Sequence, residues 1–172
     1  MDLEELYTKF DARLAALPTL DQKLDTAAKA LWQAFNVKQD EVAIFAFDET
    51  FESLRFLWPK KLRTAGAVPL SAHHSLVAKT ASERKASVDN SFATTPHVFI
   101  FERFRLDITG KIPIQKIMSV PMIVGDVVKG VIQVSRKGEA REACGPDFSQ
   151  GNLAALVRLA AIIAPHLENP AG

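Results

Sequence analysis

Cysteine is nearly absent from this chain: Cys144 is the only one. A lone thiol closes no internal disulfide and cannot found a cysteine-rich metal site, which excludes an oxidatively stapled fold. No apolar run approaches the roughly 20 residues needed to span a bilayer. The first ten residues carry Asp2, Glu4 and Glu5 and contain no apolar signal core, so no secretory leader is expected and the cytoplasm is the expected compartment. Neither sign of charge dominates. The net charge is +1, which leaves no strong field to attract nucleic acid or an anionic membrane. The basic groups Lys60, Lys61 and Arg63, and Arg103, Arg105 and Lys111, read as solvated loop charges. Also missing are a glycine-rich phosphate loop, a Ser-His-Asp spacing, a paired-carboxylate motif, an internal repeat and a linker. A length of 172 residues, 48% of them hydrophobic, suits one soluble domain over 1–172 with a full core.

What is present is strong periodicity. Leu3, Leu6, Tyr7, Phe10, Leu14 and Leu17 recur three and four apart, the stripe of a helix that Pro18 ends. Thr19 or Asp21 caps a second helix carrying Leu24, Ala27, Ala28, Leu31, Trp32 and Phe35. At Val42 the period changes. Val42 to Phe47 reads as a buried strand, Leu54 to Trp58 as its hairpin partner, and Ala67 to Leu70 as a third short strand. His73 to Arg84 predicts a helix with Leu76, Val77 and Thr80 on one side, and Ala86 to Val88 another short strand. Ser91 to Lys116 reads as irregular, in the manner of a binding loop or lid. Met118 to Val124, Gly125-Asp126 and Val127 to Ser135 form a strong hairpin signal, with glycine at the turn. Asp147 is expected to cap a last helix with Leu153, Leu156, Val157, Ala160 and Ile163 at helical spacing. Short loops between strands imply antiparallel pairing. The fold class is therefore α+β, an antiparallel sheet with terminal helices on one face.

The stretch Ser119-Val120-Pro121-Met122-Ile123-Val124-Gly125-Asp126, running on through Gly130 to Val134, resembles the hairpin signature of the GAF domain family. Pro69-Leu70 before the middle helix, Val88-Asp89 after it, and Pro146-Asp147-Phe148 before the last helix match in the same order. The resemblance covers about residues 20–166. It implies a profilin/PAS-like sheet whose other face, under the middle helix and lid, encloses a small-molecule pocket. Members of the family bind cyclic nucleotides, bilins, haem or small metabolites, or bind nothing and dimerise.

Alternation along a strand sorts the pocket candidates, because successive side chains point to opposite faces. Val131, Gln133 and Ser135 form one set, and Ile132 and Val134 the other. The apolar pair suits the helix-packed face. The polar set suits a pocket wall, with Ser119 on the neighbouring strand, or else an exposed sheet face. By the same parity Phe45 and Phe47 share a face, as do Phe56 and Trp58, and parity does not say which. Phe45 and Trp58 are candidate pocket residues, or else core. Asp89 stands either at the pocket rim or as a turn residue with Asn90 and Ser91. His74 is a candidate rim residue.

Catalysis and metal binding find little support. Adjacent His73 and His74 point in different directions; His97 could close a metal site, but no Asp or Glu lies at helical spacing to assist. An enzyme built on His73, His74 or Asp89 lacks an identifiable second partner. A branch of the resembled family reduces free methionine sulfoxide with several cysteines, and Cys144 has no resolving thiol. No cysteine stands in Ser71-Ala72-His73-His74-Ser75 to attach a bilin. Cyclic-nucleotide-binding members carry Asn-Lys after the last strand and Phe with Asp-Glu at the last helix. Here Lys137 and Phe148 match but the Asp-Glu is absent, so their Lys–Asp latch is not expected. The reading is a small-molecule sensor or signalling domain, cofactor unknown, acting as a homodimer through residues 1–17 and the last helix and passing its signal to another protein. The alternative is a scaffold whose pocket is filled by Phe99, Phe101, Phe104 and Met122.

Overall fold

The computed structural model describes residues 2–72, 74–94 and 112–168. The Asp2 carboxylate accepts hydrogen bonds from the N–H groups of Glu4 (2.6 Å) and Glu5 (3.3 Å), and so starts α1 (Leu3–Ala16) by satisfying donors that a first turn leaves free. Thr19 does the same for α2 (Leu20–Ala34), accepting from the Gln22 N–H at 3.2 Å. Leu24, Ala27, Ala28 and Leu31 form the buried stripe of α2. At its end Asn36 takes the left-handed conformation, φ 51°. The Arg136 guanidinium reaches in to donate to the carbonyls of Phe35 and Asn36, both at 3.1 Å, and stacks on Phe148 with its carbon 4.6 Å from the ring centre. A cation on the last carbonyls of a helix complements its dipole.

Among the described residues six strands form an antiparallel sheet: β1 (Val42–Asp48), β2 (Ser53–Trp58), β3 (Ala67–Pro69), β4 (Ser87–Asp89), β5 (Ile114–Val124) and β6 (Val127–Lys137), in the order β3-β2-β1-β6-β5-β4. The hairpin read from the sequence thus lies inside the sheet, with β6 between β1 and β5. Gly125, φ 61°, occupies the first central position of its turn, where a Cβ would be disfavoured. Gly130 answers a different need. A Cβ there would sit 1.9 Å from the Phe45 carbonyl oxygen, so the close approach of β1 to β6 admits only hydrogen.

Two layers cover the sheet. On one face α1, α2 and α4 (Gln150–Ile163) bury Val42, Ile44, Met118, Val120, Ile132 and Val134. On the other, α3 (Leu76–Glu83) brings Val77, Ala78 and Ala81 against Ala43, Phe45, Phe56 and Val131. Full burial of one such aliphatic or aromatic side chain stabilises by about 1.5–3 kcal/mol.

Three element starts differ from the sequence reading. The third helix begins at Leu76, because the Ser75 hydroxyl accepts from the Ala78 N–H (3.3 Å) and acts as its cap, leaving His74 outside. The last helix is capped by Ser149 rather than Asp147. Ser149 accepts from the Asn152 N–H at 3.0 Å while Asn152 accepts from the Ser149 N–H at 2.8 Å, a reciprocal box. Strand β5 already starts at Ile114, inside the span read as irregular, and Phe92–Thr94 near the start of that span form a tight turn.

Candidate functional site

Strand parity along β6 places Val131, Gln133 and Ser135 on the α3 side, and Ile132 and Val134 under the terminal helices. Gln133 and Ser135 are fully buried at 0% exposure, which removes the exposed-sheet reading. Ser119, also at 0%, sits opposite Gln133 in the β5–β6 ladder. Its hydroxyl lies 2.7 Å from that of Thr80 on α3 and accepts from Gln133 Nε2 at 3.2 Å. The direction of this chain follows from proton count. Thr80 donates its one hydroxyl proton to the Leu76 carbonyl at 2.8 Å, so Ser119 must donate to Thr80. The order is Gln133 to Ser119 to Thr80 to Leu76. An uncharged hydroxyl and amide set among apolar side chains offers hydrogen bonds and supplies no strong acid or base.

Around this chain the wall is aromatic and aliphatic. Phe45 is fully buried and its ring centre lies 4.4 Å from that of Phe56, the planes tilted by 36°. Ser135 takes a separate role. Its hydroxyl donates to the Glu41 carbonyl at 3.2 Å and ties β6 to the turn before β1. In that turn the buried Glu41 carboxylate accepts from the Lys38 N–H at 2.8 Å and from the Lys137 N–H. Lys137 is engaged here, its ammonium donating to the Asp40 carbonyl at 3.0 Å.

Other candidates fall elsewhere. Strict alternation groups Trp58 with Phe56, but the register runs Ile44↔Trp58 and then Phe45↔Phe56, which makes Leu57 an extra residue. This bulge reverses parity and turns Trp58 onto the terminal-helix side, where it packs on Trp32 at 6.0 Å between ring centres. Met122, offered as a pocket filler, belongs to the same side because it shares parity with Val120. His74 is exposed, ahead of the α3 cap. Asp89 ends β4 and accepts from the Ser91 N–H at 2.8 Å, the geometry of a turn residue. The neighbouring Asn90 pairs with the backbone of Phe148 in both directions, at 2.8 and 2.9 Å, and fixes the approach to α4. His73, His97, Phe99, Phe101, Phe104 and the basic group Arg103, Arg105 and Lys111 lie outside the described residues. Cys144 sits in the turn after β6, its thiol 3.2 Å from the Arg141 carbonyl.

Two contributors were missed. Periodicity makes Thr80 only part of a helix stripe, although its position four residues after Leu76 is the signal for a hydroxyl bonding back to that carbonyl. Lys116 falls at the end of the stretch whose sequence reads as irregular. It is buried in β5, donates to the Gly145 carbonyl at 2.6 Å and pairs with Asp147 at 2.8 Å. A Lys–Asp latch before the last helix therefore exists, built from Lys116 and Asp147 and not from Lys137. The Lys116 hydrogen bond, with charge from Lys116 and Arg141, holds the Asp147 carboxyl below its ordinary value. No helix among the described residues is long and apolar enough to cross a membrane.

Solved structures share this arrangement. The GAF domain of an Acinetobacter phosphoenolpyruvate-protein phosphotransferase matches with a TM-score of 0.72 at 20% identity, covering 97% of this chain and 94% of that one. The corresponding domain from Coxiella burnetii matches at 0.72 and 14%, covering 95% and 90%. The free methionine-R-sulfoxide reductase of Neisseria meningitidis, solved with its substrate, matches at 0.67 and 14%, covering 95% and 87%. At such identities the likeness carries the fold alone. No curated protein matches the chain in sequence. The profile of the family described as GAF domain matches residues 19–169, which hold all six strands and α2, α3 and α4 but not α1, and the chain belongs to that family.

Proposed function

We propose that this GAF domain is a regulatory module that holds a small molecule on the α3 face of its sheet and acts through contacts with other proteins. The observation that carries the reading is the chain Gln133–Ser119–Thr80, a set of buried polar groups among apolar neighbours. The Neisseria protein was solved with a small substrate on the same fold, which supports a ligand here without naming it. Its chemistry does not transfer. Reduction by several cysteines needs a resolving thiol, and Cys144 stands alone in the sequence. His74 and Asp89 are given no catalytic role.

A homodimer is part of the proposal. On α4, Ala154, Val157 and Ala161 form an exposed stripe at helical spacing, and Leu3 and Leu6 of α1 are 60% and 49% exposed. Small and apolar outward positions on two adjoining helices suit a helical interface.

A scaffold reading has one observation in its favour: Ser119 and Thr80 satisfy each other without a ligand. Native mass spectrometry of protein purified from its own cells separates the two. A retained small molecule that is lost in Gln133→Leu supports the sensor. Protein of bare chain mass, with no thermal shift across a metabolite library, supports the scaffold.

A further inference from the structure

On the opposite side of the sheet from that chain, a cleft of ≈ 630 Å³ opens where α2, the turn before β1 and the end of β2 meet. Its size falls in the usual range for small-molecule sites. Lys38, Gln39 and Asp40 form one wall, and Pro59, Lys60 and Lys61 the other. Trp58 lies between them, half-buried, with its indole N–H donating to the Gln39 carbonyl at 3.3 Å. The Leu57 bulge is what turned this ring to the cleft, and bulges commonly re-aim a side chain beside a site.

The charges do not cancel. Lys60 is neutralised by Asp25 at 2.8 Å, and Asp40 is engaged by Lys137 at 3.7 Å. Among the described residues the ammonium groups of Lys38 and Lys61 form no salt bridge. Two unpaired ammonium groups beside an indole make a surface for an anion that also carries a flat apolar body. The ring packs on the indole, and the lysines provide charge-assisted hydrogen bonds.

We propose that this cleft is a second binding site, for a small planar ring bearing a carboxylate or a phosphate. It uses none of the α3-face residues, so it stands or falls apart from the reading above.

The chain has two tryptophans, hence two indole N–H signals in a proton–nitrogen correlation spectrum, and Trp58→Phe identifies one. Salicylate and adenosine monophosphate are titrated as ring-bearing anions, with adenosine and inorganic phosphate as the separate halves. The Trp58 indole signal is expected to shift saturably with one of the two anions, salicylate indicating a carboxylate and the nucleotide a phosphate. The double variant Lys38→Ala/Lys61→Ala, exposed positions whose loss leaves the rest of the spectrum in place, is expected to weaken binding by about tenfold or more. The proposal is overturned by non-saturating shifts with both anions, by a saturable nucleotide shift that adenosine alone reproduces, or by unchanged affinity in the double variant.

Discussion

The hydroxyls of Thr80 and Ser119 lie 2.7 Å apart in the core, although 39 residues separate them in the chain. This bond fastens α3 to β5. In Ser119→Ala, Gln133 Nε2 loses its acceptor in Ser119 and Thr80 loses its donor, both in a buried setting. Loss of stability of about 1–3 kcal/mol is expected, measured by urea denaturation. A variant as stable as the parent would show that these groups find other partners.

Gly130 faces the backbone of β1 with no room for a methyl group. Gly130→Ala sets a Cβ 1.9 Å from the Phe45 oxygen and 2.6 Å from Met122 Cε. The methionine can turn aside but the carbonyl cannot, so β1 must part from β6. A loss of about 3 kcal/mol, at the upper end of overpacking costs, is expected in the same denaturation assay. Gly125→Ala, with open space around it, is the control that tests conformational strain alone.

The Lys116–Asp147 pair makes stability depend on acid. The folded-state pKa of Asp147 is depressed by its hydrogen bond to Lys116, so its contribution is present above the unfolded value of 3.8 and is lost as pH falls through the lower folded value. Asp147→Asn should therefore be less stable than the parent at neutral pH, with the difference narrowing as pH drops below 3.8. Asp21, lowered by its hydrogen bond to Arg63, adds a parallel dependence of the same sign. Thermal melts of parent and variant across pH check this. A gap that stays constant through the acid range would remove the pair from the account.

Deleting residues 1–17 is a poor test of the dimer, because Leu14 is fully buried in the core and its removal would damage the fold. Leu3→Glu/Leu6→Glu changes the outward face alone. It is expected to convert a dimer to a monomer in solution scattering, with an unaltered melting temperature at high dilution. A mass unaffected by the double variant, or a monomeric parent, would refute the proposed interface.

Much of the architecture was legible because it follows from local rules. Pro18 and Thr19 mark the break between α1 and α2, and Gly125 the turn of the central hairpin. The starts of α3 and α4 were misplaced because Ser75 and Ser149 compete with nearby polar residues for the cap. Which of them wins depends on where the chain enters the helix, as the Ser149–Asn152 box shows. The site was legible on β6 and much less so on β2. Trp58 does not share a face with Phe56 because of one extra residue, visible only once β2 is laid against β1.

By itself the sequence determined which β6 side chains share a face, since alternation is a property of one extended backbone. It also supplied glycine at 125, the residue type that most readily accepts the positive φ its turn takes. Tertiary structure decided what those side chains meet. That Ser119 donates to Thr80, that Lys116 finds Asp147 and that Trp58 enters a lysine-lined cleft all depend on elements far apart in the chain. Their distances are fixed by packing, and packing leaves no periodic trace in a linear string of residues.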